Sequence, residues 1–254
     1  MNRIIKALAV VLAVAMLMAA ASACAGKQGG MTLESGKLIM ATNAEFPPFE
    51  FINDAGEFDG FDVQLAKAIA DKLDLELVVD NMQFDAIIAA IETGQVDVGI
   101  AAMTITEERL LKVNFTIPYF ETTLVVIVPV GSDITSRDDL EYARIAVQLG
   151  TTSDLFVEDE LENATITRLA RAPDTVLELQ SGNVDAIVVD RDVALQFIDS
   201  NPDLVMLPES LGEESYGMAV NKGNPELLAE LNRVLNELKD SGEYDRIFDA
   251  WFTK

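Results

Sequence analysis

The chain has 254 residues, half of them apolar, with 18 basic and 43 acidic side chains, no histidine and one cysteine. So large an apolar share excludes a disordered polymer, and a net charge of −25 argues against nucleic acid and anionic lipid surfaces as partners. Without histidine no His-based triad and few zinc sites are available, and a lone cysteine permits no disulfide framework. Asn2, Arg3 and Lys6 form a basic start, followed by an apolar run over residues 7–21 that is too short for a comfortable membrane span. Residues 21–23 (ASA) are small enough for cleavage, so residues 1–23 read as a signal peptide. Its removal leaves 16 basic against 43 acidic side chains, a net charge of −27. Residues 24–36 (CAGKQGGMTLESG) carry little apolar content and read as a tether.

An apolar strand covers residues 37–41. Phe61, Leu65, Ile69 and Leu73 recur every four residues and mark a helix with one apolar stripe. A strand over 76–79, a helix over 85–93 stopped by Gly94, a strand over 98–101 and a β-rich run over 122–130 follow. The alternation then repeats: strand 144–147, helix 153–160, strand 165–169, helix 173–181, strand 185–189. A strand over 216–220 and helices over 225–240 and 243–251 close the chain, with Pro225 suited to a first helical turn. Strands alternating with helices predict an α/β fold of mostly parallel sheets covered by helices.

One segment occurs twice. IETGQVDVGI (residues 91–100) is echoed 88 positions later by LQSGNVDAIV (residues 179–188). Each is a helix end, a glycine cap, then Val-Asp opening a buried strand. The echo predicts two lobes built alike, with Ala102 and Asp190 at matching places beyond a strand end. Open α/β sheets bind ligands at the carboxyl ends of their strands. The stretch GIAAMTITEER (residues 99–109) runs from such a strand into a polar turn and a helix, placing Thr104, Thr106 and Arg109 there. An arginine there can grip a carboxylate with two parallel hydrogen bonds; otherwise it is a solvated helix residue. Asp190 leaves the apolar run 186–189 and could accept hydrogen bonds from an ammonium group or cap the next helix. Together Arg109 and Asp190 would recognise the two charged ends of an α-amino acid.

Five motifs, in order, carry a family resemblance: ATNAEFPPFE (41–50), GFDVQLAKAIA (60–70), TITEER (104–109), QLGTTS (148–153) and YGMAV (216–220). The chain resembles the extracytoplasmic solute-binding proteins of the polar amino acid family, which serve ABC importers, over residues 37–254. The resemblance implies a periplasmic-binding-protein-like (type II) fold: lobe one of residues 37–127 and 218–254, lobe two of 128–217, joined by a hinge of two crossings. It implies a monomer that closes on an amino acid without cofactor or metal, delivers it to the importer's permease, and is not an enzyme. Cys24 resembles the lipidated cysteine of a bacterial lipoprotein, although Ala21 stands where such signals usually carry Leu. Cleavage without lipidation would leave a soluble periplasmic or secreted protein.

The resemblance also assigns roles. Arg109 would clamp the α-carboxylate with Thr104 and backbone N–H groups near Thr104 and Thr152. Asp190 and the Ala102 carbonyl would hold the α-ammonium. Phe46 and Phe84 would sandwich the ligand's side chain, and Asn43, Glu45, Gln148 and Ser153 would line its far end. Members that hold cationic ligands often carry Asp where this chain has Asn43. Glu45 or Asp154 would then supply the missing charge, and the VQLGTT loop (147–152) resembles members that bind basic amino acids. The expected ligand is a polar amino acid, with a lean towards a cationic one. Two other functions compete: a cyclohexadienyl-dehydratase-like enzyme using Glu45 or Asp190 as general acid, and a sensing lobe that acts through a membrane partner.

Overall fold

The computed structural model describes residues 30–253. The signal peptide and Cys24 lie outside the described residues. Only the end of the expected tether lies within them, and it is docked rather than loose. Leu33 N donates to Asp97 Oδ1 at 2.7 Å, and Asn224 Nδ2 donates to Met31 O at 3.0 Å. No helix among the described residues is long and apolar enough to cross a membrane.

Two main sheets and one small sheet form the scaffold. Strand β1 (Lys37–Thr42) leads into three short strands, β2 (Glu45–Phe46), β3 (Glu50–Ile52) and β4 (Phe58–Asp59), which pair as a small antiparallel sheet. Helix α1 (Phe61–Lys72) follows, its predicted stripe of Phe61, Leu65 and Ile69 fully buried. Next come β5 (Glu76–Asn81), a 3-10 turn (Phe84–Ala86), α2 (Ile87–Glu92), β6 (Val98–Gly99), α3 (Glu107–Lys112) and β7 (Val113–Phe115). The second half holds β8 (Phe120–Pro129), β9 (Arg144–Gln148), α4 (Thr152–Glu160), β10 (Thr165–Leu169), α5 (Ala172–Gln180), β11 (Ala186–Asp190) and α6 (Arg191–Ser200). Strands β12 (Leu204–Met206), β13 (Gly212–Tyr216) and β14 (Ala219–Asn221) precede the closing helices α7 (Pro225–Asp240) and α8 (Glu243–Phe252).

The first sheet has the order β5-β1-β6-β14-β7 and the second β10-β9-β11-β8-β12, with β13 also on β8. Both are mixed: β1 is parallel to β5 and β6, and β9 is parallel to β10 and β11, whereas β14 and β8 run antiparallel to their neighbours.

The strand expected over 216–220 is in fact two. β13 ends at Tyr216 on the second sheet, and β14 starts at Ala219 on the first. The β-rich run likewise belongs wholly to the second sheet, starting at Phe120. Between the sheets the two passing chains stay paired. Phe115 faces Ala219, Thr116 N donates to Met218 O at 3.0 Å, Tyr119 N donates to Tyr216 O at 2.9 Å, and Phe120 faces Tyr216. They form an antiparallel ribbon paired at both ends, with Ile117 N turned to Asn232 Oδ1 and Gly217 N to Met103 O between them. Period-two patterning could not show this break, because both halves are buried and apolar.

The sequence echo is a structural one. Gly94 and Gly182 both take left-handed backbone, φ 69° and 71°. Asp97 then accepts from Ile39 N in β1 at 2.8 Å, and Asp185 accepts from Arg144 N in β9 at 2.9 Å. Each aspartate ties the start of one parallel strand to the next.

An aromatic cluster fills the space beneath the ribbon. Phe49, Phe61, Phe120 and Tyr216 meet Phe248 and Phe252 of α8, with ring centroids 4.7–6.4 Å apart. The chain before β3 is pressed onto the start of α1: Phe61 N donates to Pro48 O at 2.9 Å and Asp62 N to Phe49 O at 2.8 Å. Gly60 permits this approach, with φ 118° and room so tight that a Cβ would stand 2.2 Å from Phe49 O. Gly60→Ala combines backbone strain with that clash and is expected to destabilise the fold by roughly 2–3 kcal/mol. A urea melt of the variant, with an unchanged m-value, is the check.

Candidate functional site

The parallel strands of both sheets end at one place. β1, β6, β9 and β11 lead into Asn43, Ala101, Gln148 and Asp190, which sit on the lining of one cavity. Phe46, Glu50, Phe84, Ala102, Thr104, Arg109, Thr151 and Thr152 complete that lining. This is the crevice position expected of an open α/β sheet, except that two sheets contribute.

Arg109 is not a solvated helix residue: it is only 6% exposed. Its Nη1 donates to Thr104 O at 2.7 Å, its Nη2 to Gly150 O at 3.0 Å, and its guanidinium carbon lies 5.3 Å from the centre of the Phe84 ring. It is the only cation among the buried charged side chains of the described residues. Burial works against its charge, and the nearby Glu214 and Asp190 carboxyls partly restore it. Facing it is the start of α4, where Thr151 caps the helix by accepting from Asp154 N at 3.3 Å. A helix start offers free backbone N–H groups and a partial positive charge. Arginine and helix start together make a receptor for a carboxylate.

Asp190 supplies the opposite charge. It occupies the cap position of α6, yet its side chain makes no capping hydrogen bond. It is 5% exposed and its Oδ1 has no partner among the described residues. Burial pushes its pKa up to about 7, opposed by the Tyr216 hydroxyl beside it. That hydroxyl does not reach hydrogen-bonding geometry and is itself unpartnered. A buried carboxylate without a donor is costly, and an ammonium group would complete it.

The remaining candidates divide. Asn43 and Gln148 meet across the cavity, Gln148 Nε2 donating to Asn43 Oδ1 at 2.8 Å and to Ala170 O at 3.2 Å. Asn43 Nδ2 is held by Met82 O at 2.9 Å. Phe46 and Phe84 are buried and line the cavity, as do Ala102, Thr104 and Thr152. Ser153 instead lines an adjoining space, shared with Phe46, Gln148 and Asp190. Glu45 lines neither; its Oε1 pairs with Arg171 at 2.8 Å, joining β2 to the start of α5. Asp154 is likewise engaged, by Arg168 at 2.7 Å and by Gly150 N at 3.1 Å. Neither acid named as the missing charge is therefore a free anion in the cavity.

The family model for bacterial extracellular solute-binding proteins, family 3, matches residues 38–254. The chain belongs to that family. It is 35% identical to a probable histidine-binding protein of Neisseria gonorrhoeae, covering 92% of this chain and 91% of that protein. It is 33% identical to a putative ABC transporter arginine-binding protein 2 of Escherichia coli K12, over 84% of this chain and 90% of the other. Among solved structures, an ancestral arginine-binding protein bound to glutamine matches with 42% identity and a TM-score of 0.84, over 87% of this chain and all of the other. The fold is the type II periplasmic-binding-protein fold, and this family-3 chain is a binding protein rather than an enzyme.

Three lining residues of this family-3 protein escaped the sequence reading: Glu50, Ala101 and Thr151. Thr151 was within reach, since a threonine three residues before Asp154 matches a helix-capping pattern. Glu214 was missed as well. It lies 6% exposed on β13, its Oε2 accepts from Thr152 Oγ1 at 3.2 Å, and burial raises its pKa. Glu45→Ala removes a pair whose arginine is half exposed. Such pairs contribute about 0.2–1 kcal/mol. Ligand affinity is expected to fall by less than about fivefold, and by less still at 0.5 M salt, measured by calorimetry at two salt concentrations.

Proposed function

We propose that this chain captures a polar L-amino acid between two lobes and hands it to the permease of an ABC importer. One observation carries the reading. Among the described residues, a buried guanidinium without a carboxylate partner and a buried carboxylate oxygen without a donor line the same cavity. They match the two charged ends of an α-amino acid. Lobe one would hold the first sheet and lobe two the second, with the ribbon at 115–120 and 216–219 as the hinge. Closure is driven by a ligand that touches both walls, since only the closed form makes both sets of contacts.

The far end of the cavity favours a side chain ending in N–H donors. Gln148 spends its own donors on Asn43 and Ala170 and keeps its carbonyl oxygen. Glutamine, histidine and arginine all present such donors. The basic ligand has one further support, the likeness to proteins named as histidine-binding and arginine-binding. We further propose lipid attachment at Cys24 and a monomeric state, on the sequence pattern alone.

A thermal-shift screen of residues 25–254 against the twenty amino acids tests the reading. A ligand in hundredfold excess over Kd adds about 2.7 kcal/mol of stability. Shifts confined to arginine, lysine or histidine establish a cationic ligand, and shifts with glutamine a neutral polar one. No shift with any amino acid overturns the proposal.

A further inference from the structure

Glu50, on the cavity lining, and Asp62 are 1% and 0% exposed, and the bonds from Phe61 N to Pro48 O and from Asp62 N to Phe49 O press the chain beside Glu50 onto the start of α1, bringing the two acids next to each other. Asp62 Oδ2 accepts from Ala102 N and from the Tyr119 hydroxyl, both at 2.7 Å. Asp62 Oδ1 and both oxygens of Glu50 receive no donor from any other group of the described residues. Two carboxylates cannot meet in a buried place while both are ionised, so a proton must join them. Its position follows from the surroundings. Asp62 stands in the first turn of α1, where the helix favours a negative charge, and already accepts two hydrogen bonds. Glu50 has neither. The other groups beside the pair are Asp190 on β11, Tyr119 on the ribbon and Tyr244 on α8, none of them cationic, while Arg109 shares the cavity lining with Glu50. What the pair holds is the ligand wall. Ala102 has left-handed backbone, φ 45°, which a residue other than glycine keeps only when its surroundings enforce it.

We propose that Glu50 carries a proton at neutral pH and donates it to Asp62 Oδ1, and that this acid pair is the positioning device for the Ala102 backbone of the ligand site. The ligand part rests on the amino acid reading above; the shared proton does not. Burial raises both acids, Asp62 to about 6 and Glu50 well beyond its ordinary range. Glu50 in the unfolded chain ionises near pH ~4.3. Folding therefore takes up a proton above that pH, and stability falls as pH rises until the folded pair loses it.

Glu50→Gln keeps a neutral donor towards Asp62 and removes the titration. In the ligand-free protein, the ratio of folding constants, variant over wild type, is expected to grow by up to about tenfold per pH unit from about pH 5 upwards. Parallel stability curves for the two proteins between pH 5 and 9 overturn the proposal. The second arm measures ligand affinity. Asp62→Ala is expected to weaken it by about tenfold to a hundredfold, and an unchanged Kd overturns the positioning role. If Asp62→Ala does not fold, the decision passes to Glu50→Gln: the ratio of wild-type to variant Kd must rise with pH, the ligand's own amine titration cancelling. A ratio flat from pH 6 to 9 overturns the positioning role. A wild type that binds no amino acid while the stability curves still diverge refutes the amino acid reading and leaves the proton assignment standing.

Discussion

Arg109→Ala is expected to weaken amino acid binding at least about thirtyfold while leaving a folded protein. The guanidinium is buried and held at two of its nitrogens, by Thr104 O on one wall and Gly150 O on the other. The bond to Thr104 O holds it in place on its own wall, and the bond to Gly150 O joins the two walls in the closed form. Removing it leaves a ligand carboxylate desolvated against an empty wall, a change that costs roughly 2–5 kcal/mol, or thirtyfold and more in Kd. Arg109→Lys is expected to recover little. A single ammonium cannot hold both carbonyls and also grip a carboxylate along two parallel bonds. Calorimetric titration of the three proteins with the best ligand of the screen decides the matter. An alanine variant binding within threefold of wild type removes Arg109 from the site.

Asp190→Asn is expected to move stability and binding in opposite directions. The carboxyl is raised from 3.8 to about 7 by burial, so in the ligand-free fold it resists ionising. A raised carboxyl gives stability that is present below its unfolded pKa and is lost as pH rises through its folded one. For Asp190 that window runs from about 4 to about 7, and the loss at pH 8 amounts to roughly 4 kcal/mol. Asparagine has nothing to lose there. The variant's ligand-free melting temperature should exceed that of wild type at pH 8 and match it at pH 4. Its affinity should fall at least about thirtyfold, because an amide cannot pair with an ammonium as a carboxylate does. The same titration predicts that wild-type affinity declines below pH 7, as Asp190 takes up the proton that the ligand must displace. The protein thus gives up stability for its binding site, as functional residues commonly do. Equal melting temperatures at pH 8 would show that Asp190 is not held out of water in the free protein.

Much of this site was legible because its residues follow recognisable strand ends. Asp190 terminates a run of four apolar residues, and Thr104 and Arg109 follow another, so the architecture itself locates them. Whether Asp190 caps its helix was open from sequence, because an aspartate at that position suits both roles; only the missing capping bond separates them. Glu50 was invisible for a different reason. It lies on one of three strands of two or three residues, too short to show a period of two, and its partner Asp62 lies on the next helix. The pairing of Glu45 could not be read from sequence because Arg171, which engages it, is remote along the chain. Pairings between distant charged residues leave no local pattern. The lobe boundary at 127/128 came with the family resemblance and not from any local pattern, whereas β8 stays with the second sheet along its full length from Phe120.

The ribbon between the sheets restricts how the cavity can open. Single flexible connections would let one wall swivel or slide against the other. Here two antiparallel chains are bonded to each other at both ends of the crossing, Phe115 and Thr116 to Met218 and Ala219, and Tyr119 and Phe120 to Tyr216. Such a two-ply strap bends readily across its flat side but resists twist and shear, since those motions would break the bonds between its plies. Opening is therefore confined to about one axis, like the cover of a book on its spine. Each closure returns Arg109 and Asp190 to the same separation, so the spacing between the two charged groups acts as a fixed gauge for the backbone of an incoming molecule.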